Sequence, residues 1–292
     1  MLQRLQAAGK TAPPLLVAIV NVTPDSFSDG GQLLTLQDVV ARGLQCVAQG
    51  ADLLDVGGES TRPGAAEVSQ QEEWQRVVPA IQALVASQTL PVWVDSRRAT
   101  VAAAALQAGA SGVNDVSGFG DPAMAGVVLQ AGVPWVLMHM PHKVGAMQAS
   151  AAVAVMPETT SDGVAAVAAD LAAVVQRAVQ AGVRREQLLL DPGIGFGKSA
   201  DQNLALCQVL GPLQSLGLPV YVGPSRKSFV RAVARPGTAD LPSDRVWGTA
   251  AAVTAAVLAG AAVVRVHDVA AMRQVVDVAW AIRQAALGCS QA

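Results

Sequence analysis

Short apolar runs, rich in β-branched residues, recur along the chain, and each ends in a polar residue or a glycine-containing turn. The eight runs are LLVAIV, DLLDV, PVWV, SGVN, PWVLM, QLLL, LPVYV and AAVVRV. Strands of a parallel sheet are covered on both faces, so they are apolar throughout rather than alternating. The runs therefore predict eight parallel strands.

The segments between these runs carry helix start and stop signals. Thr35 to Asp38 and Ser69 to Glu72 match the capping-box pattern, and Asp121 before Pro122 fits an N-cap followed by an N1 proline. Glycines that suit helix ends precede the strands at Gly50, Gly109, Gly132, Gly182, Gly217 and Gly260. Eight strand–helix units in 292 residues predict a single-domain (β/α)8 barrel with its core at about 15–287. The least regular segment, about 141 to 160, is predicted to be a long loop after the fifth strand.

Composition narrows the class of protein. A formal charge of −2 is too close to neutral for an electrostatic nucleic-acid binder. An odd number of cysteines without CxxC spacing indicates neither a disulfide framework nor a zinc site. The N-terminus lacks a secretory pattern, so a reducing, cytoplasmic location is expected. Val246 to Val264 is uncharged and long enough to span a bilayer, but Gly260 interrupts it, which favours a buried helix followed by a strand.

Polar residues cluster where the predicted strands end. In a (β/α)8 barrel these positions surround one mouth, where active sites lie. We therefore expect convergence of Asn21, Asp95, Asn114, Asp191, Lys227, Arg265 and His267. For Asp95 or Asn114 alone, a helix N-cap remains an alternative. The glycine-rich segments NVTPDSFSDGG and GGESTRPGA are predicted to be loops that close over a substrate, with plain surface loops as the alternative.

Two further motifs bear on phosphate binding. DPGIGFGKS is not a P-loop, because Pro192 stands where the first glycine must be. SRKSF and RVHD follow the seventh and eighth runs, where barrels commonly bind phosphate. Arg265 and His267 are two residues apart and so lie on the same side of their strand, which favours an anion site over a core histidine.

In this order, NVTPDSFSDGG, GGESTRPGA, VNDVSG, DPGIGFGK, SRKSF and RVHDV resemble the dihydropteroate synthase family. The motifs extend from residue 21 to 269 and are highly specific together. The resemblance implies a homodimeric (β/α)8 transferase of folate biosynthesis. Such an enzyme joins p-aminobenzoate to a pterin methyl diphosphate and is a sulfonamide target.

The resemblance also implies a pterin site deep in the barrel, formed by Asp95, Asn114, Met138, Asp191 and Lys227. The hydrogen-bonding groups of a pterin ring suit these residue types. A carboxylate such as that of Asp191 can accept two N–H groups from the guanidine-like edge of the pterin. An amide such as that of Asn114 can both donate and accept.

Two further subsites follow from the same resemblance. The diphosphate would meet Asn21, Arg62, Arg265 and His267, with Asn21 also contacting Mg²⁺ that the substrate phosphates hold. The aminobenzoate would lie against Phe27, Thr61, Pro63, Phe196 and Ser228.

The motifs contain no carboxylate–histidine pair that could act as a strong base, and an aromatic amine needs none. We therefore expect a dissociative path in which Asp95 stabilises a pterin-methyl cation and Asp25 closes above it. With Lys227 and Arg265, these acids form the expected catalytic set. The rival functions are a methyltransferase-type pterin-binding barrel and a catalytically silent paralogue.

Overall fold

The structure is a computed structural model that describes residues 1–23, 35–60, 65–141 and 160–289. The first glycine-rich loop and most of the predicted loop after the fifth strand lie outside these residues. So does part of the second glycine-rich loop, at 61–64.

Eight parallel strands form the centre of the molecule. They are β1 (Leu15–Asn21), β2 (Leu53–Gly57), β3 (Val92–Asp95), β4 (Val113–Asp115), β5 (Trp135–Met138), β6 (Leu188–Asp191), β7 (Tyr221–Val222) and β8 (Val263–Val266). Their order is β6-β5-β4-β3-β2-β1-β8-β7. A parallel bridge between Leu190 and Val220 joins β6 to β7 and closes the ring. The predicted (β/α)8 barrel is confirmed.

Helices separate the strands and cover the outside of the ring. They are α1 (Leu2–Ala7), α2 (Leu36–Ala48), α3 (Gln70–Ser87), α4 (Ala99–Gln107), α5 (Met124–Ala131), α6 (Thr160–Gln180), α7 (Ala200–Gln208), α8 (Gly211–Gln214), α9 (Ser228–Val233), α10 (Val246–Leu258) and α11 (Val269–Cys289). Short 3₁₀ turns occur at Arg185–Gln187 and Pro242–Arg245. Outward-facing strand residues such as Leu54, Val94 and Val264 pack with the helices into the main core.

The local start and stop signals are mostly confirmed. Thr35 and Asp38 form a full capping box, and Ser69 accepts the backbone N–H of Glu72. The predicted helix glycines all have positive φ, from +67° to +107°. The start at Asp121 is wrong, because α5 begins at Met124. The Asp121 carboxylate instead accepts the backbone N–H groups of Ala123 and Ala99. Ala99 is the first residue of α4.

The interior of the barrel is apolar at one end and polar at the other. Near the strand starts, Trp93, Tyr221 and Leu189 fill the ring, and Leu5 of α1 packs with them to close that end. Polar side chains replace them toward the strand ends. The packed bottom supports a site at the opposite mouth.

The uncharged segment at 246–264 is α10 followed by β8, as predicted. One described helical segment, Gly163–Gln180 of α6, is long and apolar enough to cross a membrane by composition alone. One of its faces packs in the barrel core through Val167, Leu171 and Val175. It is therefore a core helix of this fold.

Candidate active site

A pocket of about 270 Å³ opens at the carboxyl ends of the strands. Its lining residues come from β1, β3, β8, the loops after β2, β6, β7 and β8, the start of α9 and the 3₁₀ turn at Pro242–Arg245. They include Asn21, Glu59, Ser60, Asp95, Phe196, Ser225, Arg226, Lys227, Ser228, Arg245, Arg265 and His267. Residues that are far apart in the chain therefore share one mouth, as the strand-end pattern predicts.

The remaining predicted residues divide into two groups. Asn114, Met138 and Asp191 are buried at the ends of β4, β5 and β6 and do not contribute to the pocket lining described above. The predictions for Asp25, Phe27, Thr61, Arg62 and Pro63 lie outside the described residues.

The floor of the pocket is a chain of buried ionic contacts. Arg265 Nε donates to Asp55 Oδ2 at 2.5 Å, and Arg265 Nη2 donates to Asp95 Oδ2 at 2.6 Å. Asn114 Nδ2 donates to the same Asp55 oxygen at 2.9 Å. Burial raises the pKa of Asp95 above its ordinary range, and the Arg265 charge opposes that rise. The neighbouring carboxylates hold the pKa of Arg265 above its usual value despite burial.

Asp55 is the floor residue that the sequence analysis missed. It is 0% exposed in the middle of β2, yet it joins Arg265 to Asn114. A signal was available, because an acid inside the apolar run DLLDV must face a buried partner. The sequence does not predict which residue is the partner, because Arg265 lies 210 positions away.

Two further ionisable side chains, Asp191 and Lys227, influence each other electrostatically beside the floor. Burial raises the pKa of Asp191 to about 6, and the Gly193 N–H and Lys227 oppose the rise. Burial also lowers the pKa of Lys227 to about 8, with Arg265 adding to the effect and Asp191 opposing it. The Lys227 ammonium lies 3.8 Å from the centre of the Phe196 ring. Phe196 also packs with Met138, so the Phe196 side chain contacts both the Lys227 ammonium and an apolar side chain.

Lys198 of the DPGIGFGK motif fixes the loops after β5 and β6. Its ammonium donates to the carbonyl oxygens of Gly193 and Phe196 at 2.9 and 3.1 Å, and approaches that of His139 at 3.5 Å. Burial lowers its pKa to about 7. These bonds hold Phe196 in place, a role that the sequence analysis did not assign.

Glu59 anchors the base of the second glycine-rich loop. It accepts hydrogen bonds from Arg97 and Arg98 at 3.1 and 3.0 Å, and Arg98 also pairs with the buried Glu73. Burial works to raise the pKa of Glu59, yet the two arginines hold it below its usual range. Glu59 lines the pocket, so this network ties the loop base to α3 and α4.

His139 and Asp170 are the one carboxylate–histidine pair among the described ion pairs, with Nε2 and Oδ2 3.1 Å apart. Burial lowers the pKa of His139 to about 4, and the Lys198 charge adds to this. Neither side chain lines the pocket. The pair therefore gives the pocket no general base.

One described side chain of the pocket, that of Asn21, could contribute an oxygen ligand to a magnesium ion. Within the described ranges, no group of three or more His, Cys, Asp and Glu side chains could hold a metal. Asn21 brings an amide oxygen to the pocket at the end of β1. Magnesium accepts such an oxygen when phosphates and water complete its shell.

Comparisons with known proteins agree with this geometry. A family model described as pterin binding enzyme matches residues 17–267. A dihydropteroate synthase of Mycobacterium leprae is 47% identical over 263 residues, covering 89% of this chain and 90% of the relative. One from Synechocystis is 43% identical over 269 residues, covering 91% and 89%.

Solved structures agree in the same way. A Xanthomonas albilineans dihydropteroate synthase with 4-aminobenzoic acid has a TM-score of 0.83 at 42% identity, covering 93% of each chain. The same enzyme in complex with 7,8-dihydropteroate has a TM-score of 0.80 at 41% identity, covering 93% of this chain and 94% of that one. The chain therefore belongs to the dihydropteroate synthase family of pterin-binding transferases.

Proposed function

We propose that this chain condenses 6-hydroxymethyl-7,8-dihydropterin diphosphate with p-aminobenzoate to give 7,8-dihydropteroate and diphosphate. One observation carries the proposal. A single mouth combines a buried acid–arginine floor, a cation on an aromatic ring and a histidine beside an arginine. The relatives from Xanthomonas albilineans that contain 4-aminobenzoic acid or 7,8-dihydropteroate support it.

The pterin site lies below the lined pocket, toward the buried ends of β4, β5 and β6. Asp191 accepts N–H groups from the pterin edge, and Asn114 donates and accepts beside it. Lys227 donates to the ring, while Met138 forms an apolar wall. These roles suit the burial of Asn114, Met138 and Asp191 below the opening, where bound pterin would be shielded from water.

The diphosphate lies nearer the opening, with Asn21, Arg62, Arg265 and His267. Arg265 already gives Nε and Nη2 to acids, so it acts there as a fixed positive charge with its remaining N–H groups. When bound, Mg²⁺ would neutralise developing charge on the leaving oxygens, with Asn21 as its protein ligand.

The aminobenzoate binds between Phe196, Phe27 and Pro63, with Thr61 and Ser228 at its carboxylate. Ser228 and Phe196 line the described pocket. The same subsite is the proposed target of sulfonamides. A Yersinia pestis dihydropteroate synthase in complex with a sulfonamide drug supports this, at 35% identity and a TM-score of 0.82, covering 94% of this chain and 95% of that one.

The reaction follows a dissociative path. The bond between the pterin methyl carbon and the bridging oxygen breaks first, and its electron pair leaves with the diphosphate. Asp95 stabilises the resulting cation, and Asp25 closes above it. The amine nitrogen then adds to the methylene carbon and releases a proton to solvent. Positional isotope exchange in the diphosphate without aminobenzoate tests this path, which a strictly concerted displacement would contradict.

A homodimer in the cytoplasm is the proposed working form. Val278 and Ile282 lie one turn apart on α11 and are 60% and 52% exposed, and Trp247 on the neighbouring α10 is 81% exposed. Exposed apolar side chains on these neighbouring helices support a subunit interface there. Light scattering of the wild type and of Ile282→Glu tests it, since the substitution should yield monomers.

One assay decides among the candidate functions. The purified chain receives Mg²⁺, the pterin diphosphate and p-aminobenzoate, and diphosphate release is measured. Stoichiometric release that depends on aminobenzoate supports the proposal. Pterin binding without turnover indicates a silent paralogue, and methyl transfer from a methylated pterin without diphosphate release indicates a methyltransferase-type barrel.

A further inference from the structure

Ser225 and His267 are joined by two contacts that connect the loops after β7 and β8. The Ser225 hydroxyl oxygen accepts the backbone N–H of His267 at 3.1 Å. The same oxygen lies 3.0 Å from Nδ1 of the His267 ring. Ser225 is 4% exposed, and both residues line the pocket.

The direction of the second contact follows from counting protons. A serine hydroxyl has one proton to donate, and leaving a buried donor without an acceptor costs folding free energy. Among the contacts of the described residues, the acceptor within reach of this proton is His267 Nδ1. If the hydroxyl donates to Nδ1, a neutral imidazole must carry its own proton on Nε2.

The surrounding contacts hold this arrangement rigid. Arg42 donates to the carbonyl oxygen of His267 at 2.8 Å, which fixes the backbone of His267. Arg226 and Asp268, which directly follow Ser225 and His267 in the chain, form a bidentate ion pair. The backbone N–H of Arg226 also donates to the buried Thr249 hydroxyl at 3.0 Å.

We propose that Ser225 is a positioning residue for the leaving group. Its hydroxyl holds His267 as the Nε2–H tautomer, so that the ring presents a donor to the diphosphate beside Arg265. This inference rests on the proposed function for the identity of the anion. Ser225 itself acts through His267 and not by contact with the reacting atoms.

Binding of inorganic diphosphate tests the proposal without turnover. Calorimetry with Mg²⁺ should show Ser225→Ala weakening the affinity about tenfold, because the His267 ring would lose its fixed orientation and with it the Nε2–H bond to the charged diphosphate. Ser111→Ala is the matched control, because it removes a hydroxyl bonded to the Val92 carbonyl at the start of β4. Its diphosphate affinity should stay within about twofold of the wild type.

A double-mutant cycle shows whether Ser225 acts through His267. The amide nitrogen of H267Q can reach the place of Nε2 as a donor without any choice of tautomer. In that background S225A should cost less than about twofold. An equal loss in both backgrounds would overturn the proposal.

The tautomer can be observed directly. The chain has three histidines, so ¹⁵N imidazole spectra are simple, and the signal missing from H267Q assigns His267. We expect an unprotonated Nδ1 and a protonated Nε2 in the wild type, and a mixture of tautomers in S225A. A proton on Nδ1 in the wild type would overturn the proposal even if S225A failed to fold. Absence of turnover with this tautomer intact would instead count against the proposed reaction alone.

Discussion

The Lys227 side chain lies over the Phe196 ring in space that the absence of a side chain at Gly195 leaves open. A Cβ built on Gly195 would come within 2.7 Å of Lys227 Cδ, and Gly195 has a φ of +81°. The cation and the ring face are 3.8 Å apart, a distance at which the ring quadrupole attracts the ammonium. Gly195 therefore leaves room for the Lys227 ammonium over the ring.

Gly195→Ala should displace Lys227 and reduce kcat/KM for the pterin substrate by about tenfold or more, because a small misplacement of a positioned group is costly. Gly237→Ala is the matched control. Gly237 has a similar φ of +83°, yet nothing lies within 4 Å of its built Cβ. Steady-state kinetics of both variants separate backbone strain from displacement; equal losses would contradict this role for Gly195.

The pH dependence of kcat/KM should be bell-shaped. Ionised Asp191 is needed to accept pterin N–H groups, so activity should rise as pH passes through about 6. Protonated Lys227 is needed as a donor, so activity should fall above about 8. Lys227→Arg keeps a charge that does not titrate in this range and should remove the alkaline limb. Lys227→Ala should abolish most turnover at every pH, and near-normal kinetics would refute its role.

Asp191→Asn should stabilise the fold while it weakens pterin binding. The folded-state pKa of Asp191 is raised from 3.8 to about 6, so the unfolded chain ionises first as pH rises. The charge thus destabilises the folded chain by an amount that grows from about pH 4 to about pH 6 and then stays constant, on the order of 3 kcal/mol. Urea unfolding should show the gain at pH 7.5 and little gain at pH 4. A gain that is equal at both pH values would exclude this cause.

Asp55→Ala should cost about 3–5 kcal/mol of folding free energy, because it leaves the buried Arg265 charge with one partner and Asn114 without its acceptor. Denaturant unfolding measures the loss. Asp244→Ala, at an exposed 3₁₀ turn, is the control and should change stability by less than about 1 kcal/mol.

Arg265→Ala should raise the KM for the pterin diphosphate far more than the KM for aminobenzoate. Arg265 supplies the fixed positive charge that lines the pocket beside His267. Initial-rate kinetics with each substrate varied in turn measure the two constants. Equal effects on both would remove Arg265 from the diphosphate subsite.

Local sequence patterns are enough to specify the barrel. Continuous apolar runs, capping boxes and glycines with positive φ are local features, and each acts within a few residues of where it stands. For the same reason the sequence identified the mouth, since strand ends of a parallel ring must lie together. The predicted start of α5 at Asp121 is wrong. The Asp121 carboxylate accepts the backbone N–H of Ala99, which is 22 residues away, and no local pattern encodes that contact.

Tertiary structure alone decided which charges meet. Asp55 and Arg265 are remote in sequence, and their contact exists only because β1 brings β2 and β8 to either side of itself in the closed ring. The same holds for Ser225 with His267 and for Lys198 with three carbonyl oxygens. Burial then moved the pKa values of Asp191 and Lys227 toward neutrality. The residue type sets the ordinary pKa of a side chain. The distances and the desolvation that shift this pKa arise only when the ring of strands closes.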